Sequence, residues 1–275
     1  MRTVKDDHDL NLEIRNNFIN LYYKGHSLLK ISETGGLQYR VNVHEKFRDG
    51  LDLPTDLDNV DSVNQFIRTI PALKQNITKI GSHSLEIEYE QMIIRANNYE
   101  PKNASEYFIV DRQYVDHQSR FDLTGFYWPS RGRRKNQEVA MCLMEVKFGL
   151  NTDIADVHTQ LDRYYETIKP KTANIAEEGE TILKQKLALG LYDQSPERLA
   201  AMETLSFAKD ISGFQFVLIL VDFNPFSEIL NIETLKKLSF ADQLEYSRAV
   251  LLCGIEMPGC FLMIFEKTIK RKKNE

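Results

Sequence analysis

The sequence has little cysteine and no long apolar run, and each shortage narrows what the chain can be. Only Cys142, Cys253 and Cys260 stand in its 275 residues, and no two form a C-x-x-C pair. Such a set offers neither zinc-site spacing nor a disulfide framework, so each reads as a small core residue in a reducing compartment. The apolar runs fall well short of a membrane span, and the opening MRTVKDDHDLNLEIR has no apolar signal region. A cytoplasmic protein with no membrane contact is therefore expected. H-E-x-x-H, G-x-x-x-x-G-K-[ST] and G-x-S-x-G are all missing, which leaves zinc protease, nucleotide motor and esterase readings without support. Positive charge is not in excess either. A net charge of -5 argues against a passive nucleic-acid coat, but not against an enzyme that gathers carboxylates around a metal.

What is present suits a folded domain. With 42% hydrophobic and 27% charged residues, the chain can bury a large core without disulfides. Within residues 17–47, FINLYYKGHSLLKI and LQYRVNVHEKF flank SETGG and predict an antiparallel hairpin. The acidic, proline-containing DLPTDLDNVD (52–61) is the best boundary, giving a β-rich extension over 1–60 and a main domain over 61–275. Val63, Phe66, Ile67, Ile70 and Leu73 recur at helical spacing, and Pro71 is expected to end or kink that helix. Ser84 offers a cap for a helix over about 85–97. EYFIVDRQYV (106–115), RFDLTGFYW (120–128) and EVAMCLMEVKF (138–148) predict strands, with the polar PSRGRRKNQ joining the second to the third. An amphipathic helix is expected over 151–168, with Thr152 or Asp153 near its cap. A helical insert over about 173–209 breaks near Ser195-Pro196, and GFQFVLILV (213–221) reads as a buried strand. A helix near 229–238 and strands near 249–255 and 261–265 complete an α/β reading, a mixed central sheet flanked by helices.

The chemistry concentrates at Glu145-Val146-Lys147. Residues two apart on a strand share a face, so Glu145 and Lys147 project together from an apolar run. Buried there, a carboxylate and an ammonium are costly unless paired or used. Asp122 sits within another apolar strand, and a hairpin through PSRGRRKNQ would bring it toward Glu145. Two carboxylates at close range repel, and a divalent cation relieves this. Hard oxygen ligands suit Mg²⁺.

An Asp-bearing strand, a turn, a Glu-x-Lys strand and a Gln-bearing helix resemble the PD-(D/E)xK nuclease superfamily. The residues carrying the resemblance are Asp122 in RFDLTGF, Glu145 and Lys147 in MEVKFG, and Gln160 in HTQLDRYY. It spans about residues 82–168, and Phe121 stands where the name-giving proline would be. The resemblance implies a restriction-endonuclease-like fold and metal-dependent hydrolysis of phosphodiester bonds, in DNA before RNA. It implies Mg²⁺, with Mn²⁺ as a substitute, on Asp122, Glu145 and the Val146 carbonyl. Glu86 or Glu90, one helical turn apart, would contribute through water, in preference to Glu88. The metal would polarise the phosphate and activate water, Lys147 would stabilise developing charge, and Gln160 would help position the water or phosphate.

Arg131, Arg133, Arg134 and Lys135 in the joining loop are candidate phosphate contacts, and Trp128 or Tyr127 could stack on an unpaired base. The basic tail from Lys267 to Lys273 reads as solvated, and His83, His117 and His158 form no ligand pattern. Double-strand cutting in this class often uses two subunits, so a homodimer is compatible, and any motor or methyltransferase activity belongs to another chain. The alternatives are an idle nuclease fold acting as a nucleic-acid-binding scaffold, and an α/β protein in which the strand charges merely pair.

Overall fold

The computed structural model describes residues 2–15, 17–36, 38–80, 85–99, 105–116, 119–149, 151–224, 227–249 and 263–264. The chain divides into two compact units, Met1–Arg95 with Leu189–Leu191, and Ala96–Ala188 with Tyr192–Glu275. Among the described residues no helix is long and apolar enough to cross a membrane.

The first unit opens with α1 (Arg2–Asp6) and an antiparallel meander of β1 (Leu10–Ile14), β2 (Phe18–Tyr23), β3 (His26–Gly35), β4 (Gln38–Asn42) and β5 (Asp56–Leu57). Lys24 and Gly25, at φ 47° and 76°, form the two-residue turn between β2 and β3, a conformation that matches strand twist. A side chain at Gly25 could not fit, because its Cβ would lie 2.4 Å from the Ile87 carbonyl oxygen. Helix α2 (Val60–Ile80) then lays Phe66, Ile70, Leu73 and Ile77 against Leu10, Leu12, Leu21 and Val41 of the sheet. Pro71 does not end this helix, contrary to expectation. It is exposed, and the four buried side chains around it, each contributing roughly 1.5–3 kcal/mol, outweigh roughly 3 kcal/mol for an interior proline. That packing places α2 with the N-terminal sheet, so the units divide after Arg95, within α3 (Leu85–Asn98), and not near residue 60.

The second unit is built on β6 (Tyr107–Asp116), β7 (Ser119–Tyr127), β8 (Glu138–Phe148), β9 (Ser206–Phe207), β10 (Phe214–Val221), β11 (Leu244–Ala249) and β12 (Met263–Ile264). The order is β12-β11-β10-β8-β7-β6, with β9 beside one end of β8. Strands β6, β7 and β8 are antiparallel, whereas β8, β10 and β11 run parallel, so the sheet is mixed. β10 is nearly all apolar because it is central and buried on both faces. Helices α4 (Val157–Ile168), α5 (Thr172–Ala188), α6 (Pro196–Met202) and the single turn α7 (Ile232–Leu235) complete the unit. Val157, Leu161, Tyr164 and Ile168 carry the buried stripe of α4 into the core with Phe121, Met141, Leu143 and Phe216. The expected helix over 229–238 is thus mostly turns, and β11 meets the strand expected near 249–255 only at its first residue, Ala249. Residues 250–262 and the basic tail lie outside the described residues.

Candidate active site

The site grows from a place where two paired strands part. The β7–β8 ladder ends at Leu123–Met144, one step before Asp122 and Glu145 would face each other. Beyond it the Val146 N–H, which regular pairing would hand to β7 main chain, donates to Asp122 Oδ2 at 2.8 Å. A strand residue's N–H and C=O leave on the same side, so the Val146 carbonyl also faces the Asp122 side. On the other flank, Gln113 lies between the Arg112–Leu123 and Tyr114–Phe121 pairs at φ 54°, a left-handed conformation rare within a strand. Such a residue costs on the order of 1–3 kcal/mol, and strain of this kind gathers at functional sites.

Glu145 and Lys147 emerge together from β8, 2% and 4% exposed. Lys147 Nζ lies 2.9 Å from Glu145 Oε1 and 3.2 Å from Asp153 Oδ2. Asp153 belongs to a short 3-10 turn, Thr152–Asp156, that leads into α4. It was expected near a helix cap, but the turn has Asn151 at its N-cap and takes no side-chain capping bond. From α4, Gln160 donates through Nε2 to Glu145 Oε1 and, at 2.8 Å, to the Tyr164 hydroxyl. The Tyr164 ring in turn packs on Phe121, with centroids 4.7 Å apart. One oxygen of Glu145 thus receives both an ammonium and an amide.

The structure therefore gathers Asp122, Glu145, Val146, Lys147 and Gln160. It adds Asp153, which the sequence signalled only as a cap candidate, and Tyr164 of the amphipathic helix. Glu145 and Asp153 both pair with the Lys147 ammonium, and the carboxylate oxygens of Asp122 and Glu145 are hard donors of the kind that suit Mg²⁺. Among the described residues, no three His, Cys, Asp or Glu side chains gather to hold a metal. Glu86 and Glu90 lie on α3 in the first unit, Glu86 half-buried and Glu90 buried, while Glu88 pairs with Lys24 at 3.7 Å.

The basic loop is elsewhere. It closes the β7–β8 hairpin at the end opposite the parting point, and seven residues of β8 separate its edge from Glu145. At about 3.3 Å per residue, that is roughly 20 Å. Arg131, Arg134 and Lys135 are exposed there, beyond direct reach of a phosphate held at Glu145. Arg133 is instead half-buried. It donates to the carbonyls of Trp128 and Ser105, both at 3.0 Å, and lies over the Trp128 and Phe108 rings. Trp128 is buried, with its indole N–H on Gln137 at 3.0 Å, and cannot stack on a base as expected. Tyr127 is half-buried and bonded to Glu106 at 3.1 Å. The His158 ring lies 3.2 Å from the Thr159 hydroxyl, and His83 and His117 lie outside the described residues.

Comparison with known proteins brings no relative, since no family model, curated protein or solved structure matches the chain.

Proposed function

We propose that this chain is a Mg²⁺-dependent nuclease of the PD-(D/E)xK kind, with DNA as the favoured substrate. The observation that carries the reading is the buried Glu145–Lys147 pair beside Asp122, at a point where strand pairing gives way. A buried ion pair is a poor source of stability, since well-packed apolar side chains often serve as well or better. Held instead at a parted ladder, with a carboxylate opposite and an amide fixing one oxygen, the pair has the makings of a reaction centre. The mixed sheet, with α4 packed over the Glu-x-Lys strand, supports a restriction-endonuclease-like arrangement.

Asp122, Glu145 and the Val146 carbonyl would hold the cation. When bound, Mg²⁺ would supply positive charge at the phosphate and lower the pKa of a coordinated water. The protein's own groups have defined tasks. Lys147 presents N–H donors where negative charge develops on the phosphate. Gln160, braced by Tyr164, keeps Glu145 from rotating, so the carboxylate meets the cation without reorganising. Burial in the sheet limits water around Glu145 and Lys147.

The test compares wild type with a Glu145→Ala–Lys147→Ala variant on linear, circular and single-stranded DNA and on RNA, with Mg²⁺, Mn²⁺ or EDTA. Metal-dependent cleavage by the wild type alone is the expected result. Absence of both cleavage and Mn²⁺ binding in the wild type would overturn it and favour a non-catalytic scaffold.

A further inference from the structure

Lys147 pairs with Glu145 and with Asp153, and of these two Glu145 is the proposed cation ligand. Asp153, 3.2 Å from the ammonium, has a side chain 55% exposed, whereas that of Lys147 is 5% exposed. Its turn is rooted in the core by Ile154 and leaves the carboxylate free of capping duty. Water screens the exposed partner of such a pair, and even a buried ion pair is a poor source of stability, so stability alone is a weak reason for aiming an exposed carboxylate at a buried lysine. The lysine has a different need. At 2.9 Å from Glu145 Oε1, an ammonium competes with any divalent cation for that carboxylate. A second carboxylate, Asp153, shares the ammonium and so weakens its hold on Glu145.

We propose that Asp153 is a positioning residue for Lys147, holding the ammonium between two carboxylates so that Glu145 stays available to a divalent cation. The proposal rests on the nuclease reading and deepens it. Asp153 would touch neither substrate nor metal, and its influence would run wholly through Lys147. Asp153→Asn should raise the Kd for Mn²⁺ and lower kcat, each roughly tenfold, with KM for DNA unchanged. Asp153→Glu should restore much of both. Asp156→Asn, at an exposed position of the same turn, measures the generic effect of losing one negative charge.

The deciding experiment is a double-mutant cycle read by Mn²⁺ calorimetry, which does not depend on cleavage. In a Lys147→Ala background, Asp153→Asn should change Mn²⁺ affinity no more than Asp156→Asn does. An undiminished effect there would mean that Asp153 binds the cation itself, and would overturn the proposal. Equal Mn²⁺ affinity of Asp153→Asn and wild type would also overturn it, while leaving the nuclease reading intact. A wild type that binds no Mn²⁺ would sink both. Because Asp153 is largely exposed, its replacement should leave the circular dichroism unchanged.

Discussion

The two ends of the β7–β8 hairpin both place charge against apolar surroundings, yet they use it differently. At the loop end, Glu106 accepts from the Ser130 N–H and hydroxyl at 2.6 and 2.7 Å and from Tyr127, while Arg133 satisfies two main-chain carbonyls and covers two rings. Donors and acceptors match, and the product is a fixed loop. At the parted end, the Lys147 ammonium meets both Glu145 and Asp153, the ladder is interrupted and a neighbouring residue holds an unfavourable φ. A matched polar network builds structure, whereas a network biased in charge is suited to a ligand of opposite charge.

Exchanging charge for shape at each end would break or sharpen that contrast, and the largest effect is expected at the parted end. Glu145→Gln–Lys147→Met keeps side-chain volume but removes both charges. Cleavage should fall to background and Mn²⁺ binding should be lost, while the fold stays as stable as wild type or gains up to about 4 kcal/mol. Denaturant unfolding measured beside a cleavage assay decides this. Marked destabilisation with residual cleavage would make the pair structural and reverse the comparison. Lys147→Met alone should lower kcat by about 10²–10³, the usual effect of removing one preorganised donor from developing charge.

The sequence carried the centre of this site because strand geometry is local. Glu145 and Lys147 share a face by the two-residue period, and a short loop between their strand and that of Asp122 implied a hairpin. The same logic, carried further, would have moved the basic loop away. A hairpin turn sits at one end of its strands, and Glu145 lies near the other end of β8. Asp153 and Tyr164 were not legible as site residues. Their meaning depends on where a 3-10 turn and the next helix settle against β8, which no pattern within either segment encodes. Arg133 looked like any loop arginine until its guanidinium met the Ser105 carbonyl, 28 positions away. For Pro71 and the domain boundary, tertiary packing overrode local cues, because the apolar face of α2 belongs to the N-terminal sheet.

Intermediate effects should separate bracing from chemistry. Tyr164→Phe removes the hydroxyl that accepts from Gln160 but keeps the ring on Phe121. A loss of roughly tenfold in kcat is expected, with stability nearly unchanged. A wild-type rate would show that Gln160 needs no brace. Arg133→Met should do the opposite, costing about 1–3 kcal/mol by removing its charged hydrogen bonds and leaving kcat alone. Replacing Arg131, Arg134 and Lys135 by Gln should also leave kcat unchanged. If DNA runs past the loop, the salt dependence of binding should flatten, with the log–log slope falling by roughly 0.9 for each phosphate no longer neutralised. A fall in kcat would contradict the separation of the two ends.

The smallest effect is a pH signature confined to the loop end. Burial alone would raise the Glu106 carboxyl, but the Ser130 hydroxyl and N–H, Tyr127 and the charge of Arg133 outweigh it and hold the group below the usual glutamate range. A depressed folded-state pKa contributes stability above the unfolded value and loses it as pH falls through the folded value. Tyr127 shows the opposite sign, since burial first and the Glu106 hydrogen bond second push its phenol up to about 12. Its contribution is complete below the unfolded value near 10 and is lost as pH rises toward 12. The Tyr127–Glu106 hydrogen bond thus fails at both extremes, and Glu106→Gln should weaken both limbs together. Stability measured from pH 3 to 7, with an ultraviolet titration of the tyrosines at high pH, checks each side. An unchanged acid limb in the variant would mean that the Ser130 bonds do not survive in solution, and the loop end would lose its standing as the matched partner in the comparison.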